Sequence, residues 1–456
     1  MKLFKKVSAM MVSLLMALAV MVPVSADSRT ITVNNVDDNV ALSYVQVIKA
    51  DRTKKTGWAF TNTTFEGYFK TAYKASDDQA AIQAYIKGGS SSTLEKVIAK
   101  VTKNATFTSF EHGRTTKQLD AGLYVIKVGD TTNAYNYKPL SAAFGFEGIT
   151  DTKTVSAKKQ PNTVIKSVIE DKDNLDDKDK AVQNGDKVKY TVKVKVPYIN
   201  AEDENKTFKV RDELTGAKYV KDSVKIDGVD AGEKATIDTT NNQLNVNLDS
   251  YIDEDNSKAF TEVTITYDAI ITAQNDEVTN TASASHGGNS EYSSDPVKLY
   301  TGNITLTKYA EDGETTLAGA GFKVFKGKDT KNALKFDATD TKGVYVYNPN
   351  GSVEEVVTDD NGQLVVKGLG LGEYQFKEVT APTSYTINEK NATASLTKDG
   401  DTVSAVFTST TSMKDTKVGS LPETGGIGTT IFTVGGCAIM VVAAALFFMN
   451  KKKHEK

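Results

Sequence analysis

Ionisable side chains fall on strand faces that should carry only apolar ones. Side chains alternate across a strand, so residues of one parity share a face. Ile304, Leu306 and Lys308 share one face, Tyr374, Phe376 and Glu378 another, and Met413 and Asp415 a third. The same pattern occurs upstream. Val164, Lys166 and Val168 align, as do Phe208, Val210, Asp212 and Leu214, and Val278, Asn280 and Ala282. Each set has an inward lysine on an early strand, an acid in the middle, and an Asn or Asp on the last strand. Burying an isolated ammonium or carboxylate costs on the order of several kcal/mol, so such groups pair or neutralise. Desolvation lowers a lysine pKa and raises that of a carboxylic acid. A neutral lysine is a nucleophile, and a protonated acid polarises a nearby carbonyl. The combination suits an intramolecular isopeptide bond, losing ammonia at Asn280 and water at Asp415. The same parity also fits buried Lys–carboxylate pairs, or lysines that snorkel out at a sheet edge.

The elements that must position these residues are mostly strands. From 161 to 300, Val188, Tyr190, Val192, Val194 and Val196 alternate with Lys187, Lys189, Thr191, Lys193 and Lys195, a half-buried strand stopped by Pro197. Val263, Ile265 and Tyr267 alternate with threonines in another, and no helix longer than a turn is expected. Strands separated by Gly, Asp and Asn turns predict a β-sandwich. Residues 301–418 repeat the style, with turns at Asp312-Gly313, Asn361-Gly362 and Asp399-Gly400.

The region 27–160 is mixed. Ile31–Val36, Tyr44–Ala50 and Tyr124–Val128 read as strands. Two helices interrupt them. Ser76 can cap the first, with Asp77 and Asp78 in its opening turn and Gly88 past its end. Ser92-Thr93-Leu94-Glu95 reads as a capping box for the second, whose Leu94, Val97, Ile98 and Val101 keep helical spacing. Val45, Val47 and Lys49 share a face here, but no matching acid and amide accompany the lysine. The fold class is therefore mainly β: tandem immunoglobulin-like β-sandwiches with an α-helical insertion in the N-terminal domain.

The two ends fix the compartment. Lys2, Lys5 and Lys6 precede an apolar run, and Val24-Ser25-Ala26 closes it with small residues, so 1–26 reads as a secretory signal. Residues 427–449 carry no charge and suffice to cross a hydrocarbon core of about 30 Å. Lys451, Lys452 and Lys453 follow as a cytoplasmic flank. Between the ends, 27–424 holds 48 basic and 57 acidic residues, a net of −9, which argues against a nucleic-acid partner. One cysteine, Cys437, excludes a disulfide framework and a Cys-based zinc site. With three histidines, a catalytic triad or His-metal enzyme is improbable, and no cofactor is expected. The acidic run Asp171–Asp177 lacks the glycine and closing glutamate of a calcium loop and reads as a solvated charge cluster.

Leu421-Pro422-Glu423-Thr424-Gly425, the apolar segment and the basic tail, in this order, resemble the cell-wall sorting signal of Gram-positive surface proteins. That resemblance implies cleavage by a sortase cysteine between Thr424 and Gly425 and passage of the threonyl acyl group to an amine. Gly319 to Phe325, Thr358 to Gly362 and Tyr374 to Tyr385 resemble collagen-adhesin B-type modules, and Tyr374 to Pro382 is similar to the E-box of Gram-positive pilins. Val379 and Ser384 depart from the threonine and glycine common there. The resemblance implies a Lys308–Asp415 bond promoted by Glu378, with Asp415 where asparagine is usual. The middle region resembles the collagen-adhesin A-like module of backbone pilins, which implies a Lys166–Asn280 bond promoted by Asp212, with Asn275 as second choice for the amide.

A polymer also needs an exposed amine. Ile149–Lys158 aligns with the backbone-pilin pattern Trp-x-x-x-Val-x-Val-Tyr-Pro-Lys only at Val155 and Lys158. Lys158 shares parity with Thr154 and Ser156, a solvated side, and Lys159 is its rival. The chain is thus expected to be a backbone pilin, joined Thr424 to Lys158. Its implied partners are a pilus-specific and a housekeeping sortase, identical subunits, tip and basal pilins, peptidoglycan and a host surface. The alternative is a monomeric wall-anchored adhesin for host extracellular matrix. On either reading it is a sortase substrate whose only catalysis acts on itself.

Overall fold

In the computed structural model of the chain, the described residues are 29–88, 91–130, 132–145, 152–169, 180–289, 291–328, 330–398, 405–419 and 437–445. The signal at 1–26, the acidic run 171–177, the Asp399-Gly400 turn, Leu421–Gly425 and most of 427–449 lie outside them. Among the described residues no helix is long and apolar enough to cross a membrane.

The N-terminal module is built on a five-stranded antiparallel sheet around Val40–Ala50 and Gly122–Asp130. Its two faces bury separate apolar clusters. One holds Ile31, Val33, Tyr44, Tyr124 and Phe144 under the parallel pair Thr30–Asn34 and Thr152–Ser156. The other holds Val47, Trp58, Phe69, Val97 and Val101 under three helices. These are α1 (Thr63–Tyr73), α2 (Asp78–Ile86) and α3 (Ser91–Asn104). The threonines and aromatics of α1 favour strands, which conceals it in the sequence; Asn62 starts it by accepting the Phe65 amide at 2.9 Å. Asp77, rather than Ser76, caps α2 by accepting the Ala80 amide at 2.8 Å. Since α3 starts at Ser91, Ser92 lies inside its first turn and not at its cap. Val97, Ile98 and Val101 are buried at the spacing the sequence sets, with Leu94 half-buried.

A bulge corrects one face assignment. The register shifts between Gln46 and Ile48, so Val47 and Ile48 are both buried and Lys49 turns outward, exposed.

The middle module is a sandwich of two sheets. The first contains Ile165–Ile169, Lys187–Lys195 and Glu262–Ile271, neighbours in that order. The second pairs Phe208–Thr215 with Gln243–Asn247 on one side and Glu277–His286 on the other. Val188, Val192, Val263, Ile265, Phe208 and Val278 fill the space between.

In the C-terminal module, Gly302–Ala310 lies between Gln363–Leu369 and Phe407–Asp415. The last of these runs parallel to it, so first and last strands are direct neighbours. Gly321–Lys326 and Gly372–Thr380 form the centre of the facing sheet. Ile304, Leu306, Phe322 and Phe376, all fully buried, pack between the two. Each such side chain contributes about 1.5–3 kcal/mol.

Candidate functional site

Two buried polar clusters stand in these cores. In the C-terminal module, strand alternation sends Ile304, Leu306 and Lys308 inward together. On the parallel neighbour, Met413 and Asp415 are buried by the same rule. Lys308 stands opposite Met413, and Ala310 opposite Asp415, so lysine and aspartate meet diagonally within one sheet. The Lys308 ammonium donates to Asp415 Oδ1. Glu378 comes from the facing sheet, its Oε1 2.9 Å from Lys308 Nζ, and its Oε2 accepts the Asn388 amide at 2.7 Å. All three side chains are fully buried. Burial pushes the Glu378 carboxyl above its ordinary range, against the pull of the Asn388 amide and the Lys308 charge.

The middle cluster spans the sandwich instead. Lys166 projects from the first sheet and Asp212 and Asn280 from the second. Lys166 Nζ lies 2.5 Å from Asp212 Oδ2, with both side chains buried. Burial drives the Lys166 pKa down, opposed by the Asp212 charge. Asn280 is fully buried, and its Oδ1 has no hydrogen-bond partner among the described residues. Asn275 is exposed at the mouth of a surface groove that it lines with Thr272, Gln274 and Glu277.

Sequence parity did not single out the tyrosines of this cluster. The Tyr267 hydroxyl accepts from Lys166 Nζ at 2.6 Å and from Asn280 Nδ2 at 2.8 Å, and donates to Asp212 Oδ1 at 2.6 Å. Tyr219 donates to the same Oδ1 at 2.8 Å. Tyr190, opposite Tyr267 in the sheet, stacks on it at 5.6 Å between ring centroids. The available signal was a pair of inward tyrosines on adjacent strands, each needing a partner for a buried hydroxyl.

In water-excluded space, the Lys308 amine meets Glu378 and Asp415 directly, while the Lys166 amine meets Asp212 and shares the Tyr267 hydroxyl with Asn280. Forming an amide there replaces two buried charges with a neutral group, which removes the desolvation penalty of an ion pair. The third chemistry-bearing position is exposed. Lys158 follows Thr154 and Ser156 on the solvent side, and its carbonyl accepts the Lys138 amide at 3.0 Å. Lys159 is engaged: its ammonium lies 2.6 Å from Asp37 Oδ2 and 4.1 Å from the centre of the Tyr135 ring. Thr424 and Gly425 lie outside the described residues.

Comparison with known proteins bears on the fold and the C-terminus. Residues 302–411 match the SpaA prealbumin-like fold domain, and 414–456 match the LPXTG cell wall anchor motif. The chain carries the signal of a Gram-positive wall-anchored protein. No curated protein matches it. Among solved structures, the T6 backbone pilin of serotype M6 Streptococcus pyogenes is similar at 16% identity, covering 87% of this chain and all of that one, with a TM-score of 0.56. The full-length major pilin SpaD from Corynebacterium diphtheriae gives 16% identity over 87% and 98% of the two chains, at 0.47. BcpA, the major pilin subunit of Bacillus cereus, gives 16% over 86% and 98%, at 0.43. At this identity the first likeness establishes a shared, mainly β, modular fold.

Proposed function

We propose that the chain is the backbone subunit of a covalent, wall-anchored pilus, stiffened by internal isopeptide bonds. The observation that carries this reading is the pair of buried lysine clusters, each joining the first strand of its module to a late one. A bond that ties an early strand to a late one carries tension past the strands between them, which suits a subunit loaded end to end. The modules correspond to 27–160, 161–300 and 301–418, followed by the sorting region 419–456.

In the C-terminal module, Lys308 Nζ gives a proton to Glu378 or Asp415 and attacks Asp415 Cγ; a water leaves. The raised pKa of Glu378 suits it to hold that proton beside the reacting carbonyl. In the middle module Asp212 takes the proton of Lys166, which attacks Asn280 Cγ and releases ammonia. For assembly, a sortase cysteine cleaves the Thr424–Gly425 bond, forming a thioester. The Lys158 amine of the next subunit then displaces the cysteine, giving a Thr424–Lys158 amide. A pilus-specific sortase extends the fibre between tip and basal pilins, and a housekeeping sortase transfers it to peptidoglycan. Lys158 is favoured over Lys159 because the latter is tied to Asp37 and Tyr135.

Boiled wall extracts from the native host, blotted beside a Lys158→Ala strain, test this. A high-mass ladder that collapses in the variant is the expected result. A single band in the parent would replace the polymer with a monomeric adhesin binding host matrix.

A further inference from the structure

We propose that Tyr267 is a further catalytic residue of the middle module, relaying the proton that lets the Asn280 amide nitrogen leave as ammonia. This rests on the cross-link reading of that module. An amide nitrogen is a poor leaving group until it is protonated, and the group that protonates it must reach Nδ2. Tyr267 is placed for this, because its hydroxyl touches the nucleophile, the acid and the leaving nitrogen together. It lies 2.6 Å from Lys166 Nζ, 2.6 Å from Asp212 Oδ1 and 2.8 Å from Asn280 Nδ2. Tyr219 contacts Asp212 at both its Oδ1 and its carbonyl, but no hydrogen bond joins it to Lys166 or Asn280 among the described residues.

The protons balance as follows. Lys166 passes one proton to Asp212, and neutral Nζ attacks Asn280 Cγ, opening the carbonyl to a tetrahedral centre. Its amide nitrogen, now pyramidal, carries a lone pair. Asp212 returns its proton to the Tyr267 oxygen as the Tyr267 hydrogen moves to Nδ2, so the phenol never ionises. Ammonia departs, the carbonyl re-forms, and Asp212 accepts the second Nζ proton, ending protonated beside a neutral amide. Burial holds the phenol pKa well above its ordinary value, which suits a group that passes a proton through without becoming an anion. The C-terminal cluster, which loses water from Asp415, has the Phe322 ring 5.7 Å from Lys308 Nζ.

The test is the rate of bond formation in the full chain made by cell-free synthesis. Samples are quenched at intervals and digested, and the Lys166–Asn280 cross-linked peptide is quantified by mass spectrometry. Tyr267→Phe should slow its appearance about a hundredfold, the scale of a lost general acid, while Tyr219→Phe changes it by less than about threefold. Tyr267→Phe cross-linking at the parental rate would overturn the relay, as would equal slowing by Tyr219→Phe, which would assign the effect to the surroundings of Asp212. Absence of the peptide in the parent would defeat the cross-link reading itself. Amide exchange checks that Tyr267→Phe folds. If it does not, a difluorotyrosine placed at 267 keeps the hydroxyl but makes it more acidic, and its rate must then shift, and shift differently with pH, for the relay to stand.

Discussion

Lys308 and Asp415 meet across two adjacent parallel strands, while Lys166 and Asn280 face each other from opposite sheets. The difference sets how each module would carry load. Pulling the ends of the C-terminal module shears its first strand against its last, and a bond between them routes tension past everything from 309 to 414. In the middle module the bond would instead rivet one sheet to the other.

Replacing Glu378 with glutamine keeps its size but removes a proton acceptor from beside Lys308. The expected outcome is an intact C-terminal module that keeps the water the parent loses, a gain of one water less the small mass by which glutamine is lighter than glutamate. Losing a cross-link that closes a span of 107 positions should lower its stability by about 4–5 kcal/mol, by analogy with disulfide loop closure. Intact mass and urea unfolding check the two parts separately.

Unbonded variants of the two modules should respond to pH with opposite signs. Lys308→Met leaves Glu378 buried with a raised pKa, so the folded state binds its proton more tightly than the unfolded chain. Stability should then be greatest in acid and fall as pH rises past the ordinary glutamate value of about 4.3. Asp212→Asn leaves Lys166 buried with a lowered pKa, so the unfolded chain binds that proton better. Its stability should climb with pH until the ordinary lysine value of about 10.4 is passed. Urea midpoints measured across pH decide both, and matching slopes would count against the assignment.

The sequence made the clusters legible because burial and alternation are local signals: an inward lysine shows in a strand of any fold. Its partners were harder to read. Tyr267 looked like one more aromatic in a Val-Ile-Tyr face, and only the crossing of two sheets brings its hydroxyl among three polar groups. Lys49 failed for the opposite reason, since one extra residue in its strand reverses parity and no local pattern announces a bulge. Helix α1 was hidden by strand-favouring residues that tertiary packing of Phe65 and Phe69 overrides.

Lys159 offers a control for the polymerisation lysine. Its ammonium and the Tyr137 hydroxyl both donate to Asp37 Oδ2 at 2.6 Å, and Lys159 is the first cause of the lowered Asp37 pKa. Lys159→Ala should preserve the polymer ladder while the Asp37 carboxyl titrates closer to its ordinary value, as followed by carbon NMR. A ladder lost in this variant and kept in Lys158→Ala would exchange the roles of the two lysines.

The junction between the middle and C-terminal modules rests on a few close contacts, one of them at Gly368. It has φ +73°, and a Cβ there would lie 2.4 Å from Asn184 Nδ2. Asn184 itself donates to the Ala273 and Tyr347 carbonyls, bridging the two modules. Beside it, the buried Asp276 accepts from Thr301, Asn303 and the Gly368 amide. Gly368→Ala therefore strains the backbone and displaces Asn184, leaving buried carbonyls without donors at about 1–3 kcal/mol each. The modules themselves keep their cores, so the loss should appear as motion between them. Small-angle scattering should show a broader distribution of lengths for the variant, and a protease should cut near 300 sooner. Unchanged scattering and cleavage would mean that the remaining Asp276 contacts hold the junction without Asn184.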